Sequence, residues 1–331
     1  MSGKDTLISA QNLKKWFAIR TGFFKSLISS RQLFVKAVDG ISFDVRKGEI
    51  FGLAGESGSG KTTTGRLLLK LVEPTDGKIF FEGKDITSLS GKQLKPLRRR
   101  MQVVFQDPYE SLNARMTIQS IVEEPLIVQG LVGSGMQERV NKVLKDVELT
   151  PPEEFLFRYP HELSGGQRQR VALARALVLQ PEFIVADEPV SMLDVSIRAE
   201  ILNLLVDLRD KYGTTFLYIT HDLALARHIC DRLAVMYLGK IVEMGDVDDV
   251  ALQPLHPYTT ALISAVPIPD PTSKRVEITL KGEIPSPINP PSGCRFHTRC
   301  PQYIGDICRT KEPQLIEVEK GHYVACHLHA K

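Results

Sequence analysis

Net charge is scarce in this chain: its 331 residues carry a formal charge of only +3. So balanced a molecule does not present the broad basic field of a nucleic-acid binder, and no nucleic acid is expected among its partners. Its one short basic run, Arg98-Arg99-Arg100, reads as a solvated face beside the next strand. Long apolar runs are missing as well. No stretch reaches the roughly 18 uninterrupted apolar residues of a membrane span, and Met1–Asp5 lacks the apolar core of a signal peptide. The chain is therefore expected to be cytosolic, reaching any membrane through partners. Cysteine is absent from most of the length: four of the five cysteines lie beyond residue 255.

Glycine, by contrast, is concentrated where it carries chemistry. Gly55-Glu56-Ser57-Gly58-Ser59-Gly60-Lys61-Thr62 fits G-x-x-x-x-G-K-[ST], a loop whose backbone N–H groups turn towards phosphate oxygens. Lys61 is expected to meet the β and γ phosphates and the Thr62 hydroxyl to ligate Mg²⁺, with Thr63 beside it. The loop sits between an apolar run, Glu49–Ala54, and a helix expected over Thr62–Leu71 and stopped by Pro74. That helix would point its N-terminus at the phosphates.

Ala37–Val45 alternates like a half-buried antiparallel strand, and Gly77–Gly83 and Met101–Gln106 read as further strands. From about 110 to 180 the period is helical, broken at Pro151-Pro152 and Pro160. Phe183–Glu188 is a buried strand ending in two carboxylates, and Thr215–Thr220 another, ending at His221. Strands alternating with helices imply an α/β fold with a mostly parallel sheet, active residues lying just past strand C-terminal ends. Beyond about residue 255 prolines crowd in and periodicity fades, as in a separate, loop-rich module.

Leu163-Ser164-Gly165-Gly166-Gln167 resembles the signature of the ATP-binding-cassette (ABC) ATPases. With the glycine loop it identifies the chain as similar to that family over roughly residues 6–255. The resemblance implies a P-loop NTPase cassette: a mostly parallel core, an antiparallel β part, and a helical signature subdomain at about 107–180. It implies Asp187 as a Mg²⁺ residue, Glu188 as the general base that activates water, Gln106 as the Q-loop glutamine touching Mg²⁺ and water, and His221 as the switch histidine. Asp194, in Ser191-Met192-Leu193-Asp194, matches the loop that signals across a dimer. Phe17 sits where the family stacks an aromatic on adenine, with Trp16 as the alternative. Signature and phosphate loop of one ATP site come from different subunits in that family, so a dimer is implied, with a second homologous ATPase or with itself.

The tail narrows the resemblance to the ATPase subunits of oligopeptide and dipeptide importers. His256–Leu262, Lys281–Pro287, Gly293–Pro301, Cys308 and Val324–His327 carry it across residues 256–331. It implies two transmembrane permease subunits, an external solute-binding protein and a place on the cytoplasmic face of the inner membrane. Importers of nickel or glutathione share the architecture, and a soluble ABC ATPase acting on ribosomes or DNA is the other class. Cys294, Cys300, Cys308 and Cys326 are spaced C-x₅-C-x₇-C-x₁₇-C. Read alone, the four admit disulfides, disfavoured in a reducing cytosol, a zinc site without the usual close pairs, or a [4Fe-4S] cluster. The family resemblance implies the cluster. Its role is expected to be structural, remote from ATP. Cys230 reads as a buried thiol, and His297, His327 and His329 as spare donors. The basic, Phe- and Leu-bearing stretch 18–36 reads as a surface loop or as an amphipathic element near lipid or a permease.

Overall fold

The first two strands are β1 (Thr6–Ala18), irregular past Gln11, and β2 (Phe34–Arg46). Along β2, Ile41, Phe43 and Val45 are buried while Ser42 is exposed, the period of two that a strand with one covered face shows. The structure, a computed structural model, describes residues 5–19, 32–107, 111–265, 278, 280 and 282–330. Most of the stretch 18–36 singled out above thus lies outside the described residues.

After β2 come β3 (Ile50–Ala54), α1 (Lys61–Leu68), β4 (Asp76–Phe81) and β5 (Lys84–Asp85). Then follow α2 (Lys95–Arg100), β6 (Met101–Val104), α3 (Ile118–Gln129), α4 (Met136–Asp146) and α5 (Gly165–Leu177). Next are β7 (Phe183–Asp187), α6 (Val195–Tyr212), β8 (Thr215–Thr220), α7 (Leu223–Ile229), β9 (Arg232–Tyr237) and β10 (Lys240–Asp246). The tail adds α8 (Val247–Leu252), α9 (Pro257–Ser264), α10 (Asp306–Thr310), β11 (Ile316–Glu319) and β12 (His322–Val324).

α1 ends three residues before the expected Leu71. Lys70 takes a left-handed conformation (φ 53°), and its buried ammonium is held by the Glu73 carboxylate and the Thr87 carbonyl. A tertiary contact, not Pro74, stops the helix.

The chain forms two compact units. The first holds the described residues of 1–44, 51–87 and 220–331, the second those of 45–50 and 88–219. In the first, one sheet runs β2-β1-β4-β5 and another series runs β11-β12-β10-β9-β3. β3 lies parallel to β9, while β9, β10, β12 and β11 pair antiparallel. In the second unit β8, β7 and β6 are parallel neighbours, with Phe183 in register with both Met101 and Thr215. Every residue of β7 and β8 is buried, as parallel strands covered on both faces require. Helices α3, α4 and α5 bury Val122, Leu126, Val140, Leu144 and Val171.

The compact units do not break at residue 255. β12 extends the sheet beyond β10, pairing Val324 with Glu243 and Tyr323 with Met244. The fully buried Glu243 carboxylate accepts from Leu255 N at 2.7 Å, His256 N at 2.9 Å and the His322 ring at 2.8 Å. One side chain thus fastens the start of α9 and the strand β12 to the same point of β10. The strand pair β11–β12 is too short and too polar to have stood out in the sequence.

Candidate functional site

The glycine loop leaves β3 at Ala54 and enters α1 at Lys61. Two of its glycines are there because no side chain fits. A Cβ on Gly55 (φ 147°) would lie 2.2 Å from the Met236 carbonyl oxygen, and one on Gly60 (φ 106°) 2.2 Å from that of Ala37. Lys61 is buried, and its ammonium donates back to the Gly55 carbonyl at 2.7 Å and the Glu56 carbonyl at 3.0 Å. Gly239 N donates to Ser59 O at 2.8 Å, so the β9–β10 turn supports the loop from outside. The positive charge is thereby curled under an arch of backbone whose Ser57 and Gly58 are exposed.

In the same unit, Trp16 and Phe17 differ in what engages them. The Trp16 indole donates to Asp39 at 2.9 Å, its ring lies 6.3 Å from that of Phe34, and the Lys36 ammonium sits 4.8 Å from its centroid. Phe17 is 41% exposed, with the Lys15 ammonium 5.0 Å from its centroid. Phe17 is the more exposed of the two rings. Burial pushes the Asp39 carboxyl up, but the Arg295 guanidinium, Lys240 and the hydrogen bonds from Trp16 and Arg295 more than offset it and hold the carboxyl below its usual range. His221, exposed, follows β8 in a turn where Asp222 N donates to the Thr220 hydroxyl at 3.0 Å.

The second unit holds the other candidates. Asp187 closes β7 and is buried. Glu188 stands in the left-handed region (φ 46°), a conformation that costs a non-glycine residue about 1 kcal/mol or more unless its surroundings hold it. They do: Glu188 N donates to Ile219 O at 3.0 Å, and the Glu188 carbonyl accepts from the Ser191 hydroxyl at 3.1 Å. The Gln106 amide donates to the Glu188 carboxylate at 3.1 Å. Gln106 and Glu188, 82 positions apart in the chain, are thus brought together.

Ser164 is the N-cap of α5, its hydroxyl accepting from Gln167 N at 3.3 Å while the Gln167 side chain accepts from Ser164 N at 3.0 Å. This reciprocal box satisfies two helix-end donors at once and explains the Ser-x-x-Gln spacing locally. A Cβ on Gly166 would lie 2.7 Å from an Ile197 methyl, and one on Gly165 3.3 Å from Leu193. Asp194 is the N-cap residue of α6, flanked by the strongly exposed Met192 and Val195.

In the tail, Cys294 N donates to Cys308 O at 2.9 Å, and Gly293 (φ 66°) allows that approach, because a Cβ there would lie 2.5 Å from the same carbonyl. All five cysteines are free thiols, Cys230 among them buried as expected. Burial pushes Cys294 up to about 12 and raises Cys300 and Cys326, and the neighbouring thiols raise each further. All four tail cysteines lie in the first unit. Their type suits a soft metal, yet among the described residues no group of three or more His, Cys, Asp or Glu side chains is arranged to hold a metal ion. The three histidines read as spare donors are occupied by carbonyls: His297 with Cys294 O (2.7 Å), His327 with Lys311 O (2.8 Å) and His329 with Leu255 O (3.0 Å).

Two arginines and a tyrosine of the tail reach the glycine loop and strand β2 before it. The Arg299 guanidinium donates to both carboxylate oxygens of Glu56, at 2.8 and 3.1 Å, and Glu56 N donates to the Tyr258 hydroxyl at 2.9 Å. Arg295 bonds the Asp39 carboxylate and the Leu238 carbonyl. Neither arginine was singled out from the sequence. Their only signal was position, each beside a cysteine in Cys294-Arg-Phe-His-Thr-Arg-Cys300.

Comparison with known proteins places this geometry. The ABC transporter family profile matches residues 38–191, and that of the oligopeptide/dipeptide transporter C-terminal region matches 242–308. A putative peptide import ATP-binding protein of Brucella ovis is 54% identical over 298 residues, 90% of this chain and 93% of its own length. The oligopeptide transport ATP-binding protein AppF of Bacillus subtilis is 48% identical over 333 residues, covering 99% of both chains. Among solved structures, cbiO1 of Clostridium perfringens, part of the ABC transporter complex cbiONQ, superposes with a TM-score of 0.64 at 28% identity, over 75% of this chain and 92% of its own. The cassette MJ0796, a dimer bound to ADP and phosphate, superposes with a TM-score of 0.62 at 29% identity, over 73% and 99%.

Proposed function

The chain belongs to the ATP-binding subunits of ABC transporters, and on that premise we propose that it hydrolyses ATP to drive import of di- or oligopeptides. One observation carries the reading: the glycine loop and the tail matching the oligopeptide/dipeptide transporter C-terminal region form one compact unit. A catalytic loop built together with a subfamily-specific tail favours a dedicated importer subunit over a soluble ATPase working on ribosomes or DNA.

In this reading Gly55–Thr63 cradle the phosphates and Lys61 turns from the Gly55 and Glu56 carbonyls to the β and γ oxygens. Thr62, Gln106 and Asp187 would hold Mg²⁺, which supplies charge neutralisation on the phosphates. Glu188, steadied by Gln106, takes the proton of the attacking water, and His221 contacts the γ-phosphate. Phe17 stacks on adenine, Trp16 being engaged elsewhere. Ser164, Gly165, Gly166, Gln167 and Asp194 reach the nucleotide of a second cassette, homologous or identical. The exposed apolar side chains beside Asp194 support such a face. Nucleotide chemistry belongs to residues 1–255, with the helical part at about 107–180, and 256–331 form the subfamily-specific tail. The cassette pair would sit on two permeases at the cytoplasmic membrane face, fed by an external solute-binding protein.

The chemistry of four soft thiols in one tail supports a second reading, that Cys294, Cys300, Cys308 and Cys326 take up a [4Fe-4S] cluster, with zinc as the alternative. Anaerobic preparations should then contain about four irons per chain; stoichiometric zinc would choose the alternative, and neither metal would end this reading. The transport function is tested by co-purification with the permeases and by hydrolysis in the reconstituted complex. Peptides with their binding protein should stimulate turnover. Stimulation only by nickel or glutathione would move the substrate class, and failure to associate with membrane subunits would overturn the importer.

A further inference from the structure

Glu56 occupies the first free position of G-x-x-x-x-G-K-[ST], where phosphate chemistry asks for no particular side chain. A carboxylate at the mouth of a polyphosphate site is a liability, since like charges a few ångströms apart repel strongly where water is partly excluded. The structure answers it from 243 residues away. Arg299, itself nearly buried, forks onto both Glu56 oxygens at 2.8 and 3.1 Å. That bidentate geometry neutralises the charge and fixes its direction. The remaining polar groups of Glu56 are directed too: its N–H donates to the Tyr258 hydroxyl at 2.9 Å, and its carbonyl accepts from the Lys61 ammonium at 3.0 Å. One residue therefore joins the tail to the loop lysine.

The partners of Glu56 are rigidly held. The Tyr237, Tyr258 and Phe296 rings are almost fully buried, with centroids 4.8 to 5.3 Å apart. Arg299 lies 5.8 Å from the centre of the Tyr237 ring. Phe296 and Arg299 come from the same short segment, bounded by Cys294 and Cys300. Arg295, at its other end, anchors that segment to Asp39 and to the Leu238 carbonyl.

We propose that Arg299 and Tyr258 are positioning residues for nucleotide binding: they hold Glu56 away from the phosphates and set the loop that carries Lys61. The proposal rests on the reading of Gly55–Thr62 as the phosphate site. It makes order in the cysteine-bearing tail a determinant of ATP affinity.

The test is a double-mutant cycle on the full-length chain, read by calorimetric titration with Mg-ATP and by KM and kcat. Arg299→Ala should weaken ATP binding about tenfold, the scale of one lost charge-assisted pair, acting on KM more than on kcat. Arg299→Lys, which keeps the charge, should recover most of the loss. Glu56→Gln removes the charge that needs neutralising, so in that background Arg299→Ala should cost less than about twofold. If Arg299→Ala does not fold, Arg299→Gln completes the same cycle. A melting temperature lowered with ATP affinity unchanged would make Arg299 merely structural and overturn the proposal. So would an undiminished tenfold loss in the Glu56→Gln background. Lys61→Ala is the separate control: wild-type affinity in that variant would overturn the phosphate-site reading itself, whatever the cycle returned.

Discussion

The glycine loop at 55–62 and the segment from Cys294 to Cys300 lie in the same compact unit but are held by different means. The loop is shaped by its own backbone: left-handed glycines, carbonyls that receive the Lys61 ammonium, and a helix that starts where the glycines end. The cysteine-flanked segment has no regular structure and is held by side chains, chiefly Phe296 among buried rings and two arginines on distant carboxylates. Backbone-shaped sites announce themselves in sequence. Sites shaped by long side chains do not, because any of many carboxylates could have been the partner.

That contrast is sharpened first at the chemistry, where damage should strike turnover and leave the fold alone. Glu188→Gln should lower steady-state hydrolysis about 10²–10⁴-fold, or about 3–5 kcal/mol of barrier. Its ATP affinity and melting temperature should be unchanged, and near-normal turnover would remove Glu188 from the role of base. The loop comes next. Gly60→Ala forces a left-handed residue into the Ala37 carbonyl and should cost about 3–4 kcal/mol in urea unfolding, together with ATP binding. A fully stable variant would mean that the loop has another conformation open to it.

The tail should fail in stability instead. Arg295→Ala takes from the buried Asp39 its bonded cation, leaving the Trp16 hydrogen bond and the nearby Lys240 and Lys14 charges, and should cost about 2–3 kcal/mol, at or below the usual penalty of a broken buried pair. Equal stability of variant and wild type would mean that this arginine does not anchor the segment. The smallest effect is pH-dependent. The hydrogen bond to Glu243 raises the His322 pKa above 6.5 against the effect of burial, with Asp249 and Glu319 adding to the rise. The folded chain therefore binds that proton more tightly than the unfolded one. The stabilisation is complete below about pH 6.5 and is lost as pH climbs through the raised value. His322→Gln should cost about 1 kcal/mol in mildly acidic solution, and its deficit against wild type should shrink in alkaline solution. A deficit independent of pH would assign the cost to packing.

Much of the candidate site was legible. The loop glycines, the Asp187-Glu188 strand end and the Ser-x-x-Gln start of α5 are local patterns, each needing only a few neighbouring residues to make physical sense. β8 was read to the residue because six consecutive buried positions bounded by turn signals leave one element type. Legibility failed wherever the deciding partner was far along the chain. α1 stops short because Lys70 reaches Thr87. β12 is a strand because β10 offers an edge, and three residues alternating with solvent would not read as one unaided.

By itself the amino-acid order determined an α/β chain with a glycine-shaped arch over a lysine, a carboxylate pair at the end of a buried strand, and four soft donors in a proline-rich tail. Those are properties of residue type, spacing and local backbone preference, which act within a few turns of chain. Only the tertiary structure decided that the tail closes onto the arch through Arg299 and Glu56. An ion pair across 243 residues depends on how the strands order themselves and on which charges are left near one another once the apolar side chains are buried.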